Sequence, residues 1–187
     1  MKLKIGIQGH RGSTNERACR FFAMKHGWDN FEIEYLIFTE EVLSALNGGN
    51  IDYGTFAWKS SRHGLVSETQ EAIKKYPYKK IDEVTLQIDH ALLSNSIINK
   101  DKLVRVFSHP QALEEHRSFL ENEFLHVELI KEIDTAIAAE KLQKGEYPDN
   151  SVVIAPIACA ETYGLDIFLL DLPTNKGYET TIYLVKK

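Results

Sequence analysis

The stretch VRVFSHPQALEEHRSFL, Val104–Leu120, sets the fold class. Leu103 to Phe107 is a short apolar run broken only by Arg105, and its β-branched and aromatic content predicts a strand. Ser108 ends that strand. Ser108 with Gln111 three residues later has the form of a capping box, and Pro110 stands where the first helical turn tolerates a missing N–H. Leu113, Phe119 and Leu120 then give the helix that follows an apolar stripe. The first N–H groups of such a helix have two uses. They can simply be capped, or they can also receive an anion at the end of the strand.

Outward from this stretch, short apolar runs alternate with helical patterns along the whole chain, which predicts an α/β fold. The strand candidates are LKIGI, FEIEYLIF, DYGTFAW, VTLQIDHALL, LVRVF, LHVELI, SVVIAPI, IFLLDL and TTIYLV. Between them NERACRFFAMKH, EEVLSALNGG, LVSETQEAIKKY, QALEEHRSFLENE, TAIAAEKLQKG and ACAETYG read as helices. At YPYKKIDEV, Pro77 stops a helix and a long strand pattern follows without one. The expected organisation is therefore two lobes, residues 1–76 joined by a returning segment 166–187, and residues 77–165, with a ligand cleft between them.

Composition narrows the partners. With 22 basic against 27 acidic residues the chain carries a net charge of -5, so nucleic acid is excluded as the natural partner. The start MKLKIGIQG holds too short an apolar run for a signal peptide or a membrane span, and the expected compartment is the cytoplasm. Cys19 and Cys159 lie far apart without metal-ligand spacing, so both read as small buried residues and no metal site is expected.

The order and spacing of IGIQGHRGSTNERAC, IDYGTFAWKSSRHGLV, HALLSNSIINKDKLVRVFSHPQAL, IDTAIAAEKL, VVIAPIACAETYGL and YETTIYLV resemble the catalytic domain of prephenate dehydratase over nearly the whole chain. SHPQAL, Ser108–Leu113, is the most specific stretch. The resemblance implies the two-lobed class of the type II periplasmic-binding-protein-like folds. It also implies a homodimer acting on a small anionic substrate without metal or organic cofactor. The implied reaction converts prephenate to phenylpyruvate with loss of carbon dioxide and water, in phenylalanine biosynthesis. No regulatory ACT domain is expected after the last strand.

Residue by residue, the resemblance implies catalytic roles for Thr180, Thr135 and Ser61 and puts Gly64 and His109 near the substrate, while Arg11, Lys59, Ser60 and Thr181 are the further substrate-binding candidates from their own chemistry and position. The match is uneven. In AWKSSRHG, Ser61 and Gly64 agree with the family's Pro-Ile-Glu-Asn-Ser segment and its following glycine, while Ala57, Lys59 and Ser60 depart at the proline, the glutamate and the asparagine. The family's Ser-Thr pair is Asp134-Thr135, and Asp134 makes a good helix cap. The family's Thr-Arg-Phe is Thr180-Thr181-Ile182, so an arginine implied to hold a carboxylate is missing. Arg11 and Lys59 are the expected replacements. Two alternatives follow from that loss: decarboxylation of a prephenate-like ligand without loss of its hydroxyl, or a non-catalytic module that binds a small anion.

Overall fold

A computed structural model describes residues 2–124, 126–170, 172–173 and 176–187. Leu125 and Asp171, each within an expected strand, lie outside the described residues. The chain divides into two compact α/β units. The first takes the residues up to His10, then Thr14–Ile88 and Gly177–Lys187, and the second takes Arg11–Ser13 and Asp89–Lys176.

In the first unit the elements are β1 (Leu3–Gln8), α1 (Thr14–Lys25), β2 (Phe31–Leu36), α2 (Thr39–Gly48), β3 (Tyr53–Ser60), β4 (Gly64–Leu65), α3 (Ser67–Lys75), β5 (Lys79–Gln87) and, returning from the far end of the chain, β11 (Glu179–Lys186). The sheet runs in the order β2-β1-β3-β11-β5, with β4 paired to β3. Strand β1 is parallel to β2 and β3, whereas β11 is antiparallel to both β3 and β5. One face is covered by α1, whose Ala18 and Phe22 pack on Ile182 and Leu184 and whose Cys19 packs on Ile5 and Ile7. The other face takes Val42, Leu43 and Leu46 of α2 and Ala72 of α3 against Phe56 and Val185. These side chains recur three and four residues apart on the helices and alternate along the strands, as the amphipathic reading requires.

The second unit holds β6 (His90–Ser94), a 3₁₀ turn at Lys100–Lys102, β7 (Arg105–Ser108), α4 (Pro110–Glu123), β8 (Glu128–Lys131), α5 (Thr135–Gln143), β9 (Ser151–Pro156), α6 (Ala158–Tyr163) and β10 (Asp166–Leu169). Its sheet order is β10-β6-β9-β7-β8, with β7, β8 and β9 parallel. Leu113 and Leu120 of α4 bury one face against Val106 and Val152, and Ala136, Ala139 and Leu142 of α5 bury the other against Phe107 and Val153.

Each sheet reverses its order once. In the first unit β2 lies on one side of β1 and β3 on the other; in the second, β8 and β9 flank β7 in the same way. The crevice beyond the carboxyl ends of strands at such a reversal is the usual ligand position in open α/β sheets.

The expected single strand over Val84–Leu93 is two strands in different sheets. Ile88 N donates to Tyr178 O in the first unit, while Asp89 O accepts from Ile157 N in the second. The chain therefore crosses at Ile88–Asp89 rather than at Pro77, because β5 still has β11 to pair with. The return falls at Lys176–Gly177, so β10 stays with the second unit. Among the described residues no helix is long and apolar enough to cross a membrane.

Gly54 marks a close approach of α2 to the sheet. A Cβ built there would stand 2.6 Å from Val42 Cγ1 and 3.3 Å from Val185 Cγ2. Gly54→Ala is expected to lower stability by about 1–3 kcal/mol through overpacking, read as a lower urea midpoint with an unchanged slope.

Candidate functional site

In the first unit Thr180 opens β11 directly opposite Ser60 of β3 and Leu86 of β5. Directly opposed residues share a face, so Thr180, Ser60, Ile182 and Leu184 all look toward the α1 side. Ser60 reaches that face only because the register slips. Ile182 pairs with Ala57 but Thr181 pairs with Lys59, leaving Trp58 as the extra residue of a bulge. Without it, Ser60 would point the opposite way from Ala57. The bulged Trp58 stacks on Tyr183 at 5.0 Å between ring centroids.

The hydroxyl of Thr180 makes no hydrogen bond among the described residues. Ser60 is 4% exposed, and its Oγ accepts from the backbone N–H groups of Arg62 and His63, both at 3.3 Å. It is also hydrogen-bonded to the Tyr178 phenol. Burial raises the Tyr178 pKa, while the Ser60 hydrogen bond and the Arg62 charge act against that rise. Arg62 lies 5.2 Å from the centroid of the same ring. Gly64, at φ 71, pairs with Ser60 across the short β3–β4 turn. Ser61 accepts from Glu179 N at 2.9 Å and donates to Gly177 O at 3.2 Å, which fixes the residue immediately before Thr180.

Lys59 and Thr181 lie opposite each other on the reverse face of this sheet, away from Thr180 and Ser60. Thr181 is hydrogen-bonded there to Thr85, Oγ1 to Oγ1 at 3.0 Å, and Lys59 is exposed.

At the carboxyl end of β1, Gln8 joins a network that the sequence reading missed. Ala57 N donates to Gln8 Oε1 at 2.8 Å, and Gln8 Nε2 donates to Glu68 Oε2 at 2.7 Å. Glu68 also accepts from Thr39 N and from Thr39 Oγ1, so a carboxylate at the start of α3 caps α2. Burial pushes the Glu68 carboxyl up, opposed by these hydrogen bonds.

In the second unit the parallel strands β7 and β8 end at the N-termini of α4 and α5. Ser108 does not cap α4. It is fully buried, and its Oγ donates to Ile154 O of β9 at 2.7 Å. The cap is His109, whose Nδ1 accepts from Gln111 N at 3.2 Å, with Pro110 at the first turn as expected. An Nδ1 that accepts leaves the imidazole proton on Nε2. Burial lowers the His109 pKa against the raising effect of Asp134, so the ring is neutral and Nε2–H remains a donor. Asp134 caps α5 through Oδ1, accepting from Ala136 N at 2.8 Å and Ile137 N at 3.0 Å. Thr135 follows it, half-buried, with a hydroxyl that makes no hydrogen bond among the described residues.

Arg11, Gly12 and Ser13 belong to this second unit although β1 and α1 on either side of them do not. Tyr163 Oη donates to Arg11 O at 2.7 Å, and Cys159 Sγ lies 3.5 Å from Gly12 O. Gly12 has φ 86, and a Cβ on it would come within 2.8 Å of Cys159 Sγ. Glycine is thus required twice over, by backbone angle and by contact. The Arg11 side chain is exposed. Both cysteines are buried, and burial pushes the Cys19 thiol up to about 12. Among the described residues no cluster of His, Cys, Asp and Glu could hold a metal ion.

A buried histidine pair stands behind the α4 cap. His90, the first residue of β6, is opposite Pro156, and its Nδ1 lies 3.4 Å from Nε2 of His116, which is on the buried side of α4. Burial, then His116 and His109, lower the His90 pKa to about 3.

Two α/β units, each with parallel strands that lead into helix N-termini, give a fold of the type II periplasmic-binding-protein-like class. An ABC-transporter periplasmic substrate-binding protein from Coxiella burnetii matches it in fold alone, with TM-score 0.53 and 15% identity over 99% of this chain and 85% of that one. The family model described as prephenate dehydratase matches residues 5–187, and the chain belongs to that family.

A bifunctional chorismate mutase/prephenate dehydratase from Stutzerimonas stutzeri is 28% identical over 163 residues, covering 87% of this chain and 43% of that protein. Arogenate dehydratase 2 from Petunia hybrida is 26% identical over 188 residues, covering 100% of this chain and 45% of that one. The chain therefore spans less than half the length of these two relatives. A prephenate dehydratase from Arthrobacter aurescens, solved in complex with L-Phe, superposes with TM-score 0.84 at 18% identity, covering 99% of this chain and 60% of that one.

The His90 environment has a measurable consequence. Unfolded, this imidazole takes up a proton near pH 6.5, whereas in the fold it refuses one down to about pH 3. The unfolded state therefore binds more protons between those values, and stability falls as pH falls through that window, by about 1.4 kcal/mol per pH unit. His90→Asn is expected to remove that slope between pH 6 and pH 5 in urea titrations.

Proposed function

We propose that this chain converts prephenate to phenylpyruvate, carbon dioxide and water. The observation that supports this reading is Thr180: it stands where the resemblance puts the family's threonine, lies directly across from Ser60, and has a hydroxyl that makes no hydrogen bond among the described residues. In the reaction the bond to the ring carboxylate breaks, its electron pair completes the aromatic ring, and the ring hydroxyl leaves with one proton as water. Departure of hydroxide is the difficult part, so a hydroxyl that donates to the leaving oxygen lowers the barrier. Thr180 is assigned that donation. Ser61 holds β11 in place just before it, and Ser60 and Gly64 shape the adjoining β3–β4 turn.

In the second unit, Thr135 and the neutral His109 supply donors for substrate oxygens. Arg11 supplies positive charge for a carboxylate, the contact that Thr181 is unable to make because it is neutral and turned to the other face. Lys59 shares that reverse face with Thr181, so Arg11 is favoured over it as the compensating cation. The reading also includes a homodimeric, cytoplasmic enzyme of phenylalanine biosynthesis.

The test is incubation of the purified chain with prephenate against a protein-free control, resolving phenylpyruvate from any dihydro decarboxylation product. Phenylpyruvate above control supports dehydration. A dihydro product alone, or no product, rejects it. Arogenate in a parallel reaction decides whether the substrate side chain bears a keto or an amino group. Thr180→Val is expected to reduce turnover at least about a hundredfold, the scale of removing one transition-state donor. Thr181→Val should stay close to wild type. Equal losses in the two variants would reject the assignment to Thr180.

A further inference from the structure

The C-terminal end of α4 carries a second feature, remote from the one at its N-cap. At 1.5 Å rise per residue, the 14-residue helix separates the two ends by about 21 Å. Around its last turn, with β10 and the 3₁₀ turn, a cavity of about 520 Å³ opens in the second unit, within the size range of small-molecule pockets. Phe119, Phe124 and Phe168 stand along it. Phe124 lies between the other two rings, with centroids 6.5 Å from Phe119 and 6.0 Å from Phe168.

The cavity's charges are unequal. Lys100 Nζ lies 2.6 Å from Glu123 Oε2 and 5.4 Å from the centroid of Phe124, so one ammonium already has both a carboxylate and an aromatic face. Asp166 faces the same cavity, and its carboxylate has no ion pair or hydrogen bond among the described residues. The lining thus puts a second carboxylate, besides the one that pairs with Lys100, in the same cavity as the three rings. Carboxylates and ring faces together select ammonium groups.

We propose that this cavity binds an aromatic ammonium compound, an aromatic amine or aromatic α-amino acid, with its ammonium on Asp166 and its ring against Phe124 and Phe168. The site is independent of the proposed dehydratase chemistry. In an amino acid, the carboxylate would be placed near Lys100.

Calorimetric titration of the full chain with phenethylamine, L-phenylalanine and 3-phenylpropionate tests the proposal. Both ammonium compounds are expected to bind saturably, and 3-phenylpropionate about tenfold or more weakly. Asp166 is exposed, so Asp166→Asn should keep the wild-type circular dichroism while weakening both ammonium compounds about tenfold. Tighter binding of L-phenylalanine than of phenethylamine would identify an amino acid as the ligand, and the reverse order an amine. No saturable binding of either, equal binding of 3-phenylpropionate, or unchanged affinity in Asp166→Asn would overturn the proposal.

Discussion

The first unit depends on the return of the chain's last strand into the gap between β3 and β5. Ile182 and Leu184 of β11 are fully buried under α1, so the hydrophobic pattern leaves the strand little freedom to slip by a residue. A one-residue slip would turn those two side chains to the opposite face. The same constraint fixes Thr180 on the α1 side. The bulge at Trp58 then decides what Thr180 meets, because the extra residue turns Ser60 onto that side while Trp58 stacks on Tyr183. Core packing and the polar pair at the strand's start are thus two ends of one register.

The second unit reaches a comparable position by helix caps. Both α4 and α5 begin where parallel strands end, and each has a cap from its own sequence, His109 or Asp134. An aspartate at the cap partly cancels the positive end of its helix, whereas a neutral imidazole leaves it intact. The two helix starts therefore differ electrostatically: α4 favours an approaching anion more than α5 does. His90 of β6, packed on His116 of α4, has its pKa lowered first by burial, as His109 does.

Much of this was legible in the sequence. The alternation of short apolar runs with amphipathic segments gave the α/β class, and SHPQAL with the other motifs gave the family. Asp134 as a cap could be read from its position before Thr135, because caps are local. What escaped notice depended on distant partners. Ser108 had the right spacing for a cap, but Ile154, on a strand that lies next to β7 only after folding, takes its hydroxyl and leaves the task to His109. The crossing read at Pro77 comes later because β5 is held by β11, from the other end of the chain. Gln8 and Glu68 look like ordinary surface residues until Ala57 and Thr39 are brought beside them. Adjacent threonines give no hint of which will face α1; that needs the strand's register.

The missing family arginine bears most on the proposed reading. A substrate with carboxylates needs positive charge, and helix N-termini supply only partial charge, part of it already cancelled by Asp134 at α5. Thr181 offers none and Lys59 shares its reverse face. Arg11 differs from both, because its backbone is anchored: Tyr163 holds its carbonyl, and Gly12 next to it packs on Cys159 where no larger residue fits. An exposed guanidinium on so constrained a backbone gives up less freedom on binding than one on a mobile loop would. The conformational restriction at Gly12 and the charge at Arg11 therefore belong together. The first fixes where the second begins, which is the structural reason why the proposed reading gives the carboxylate contact to Arg11.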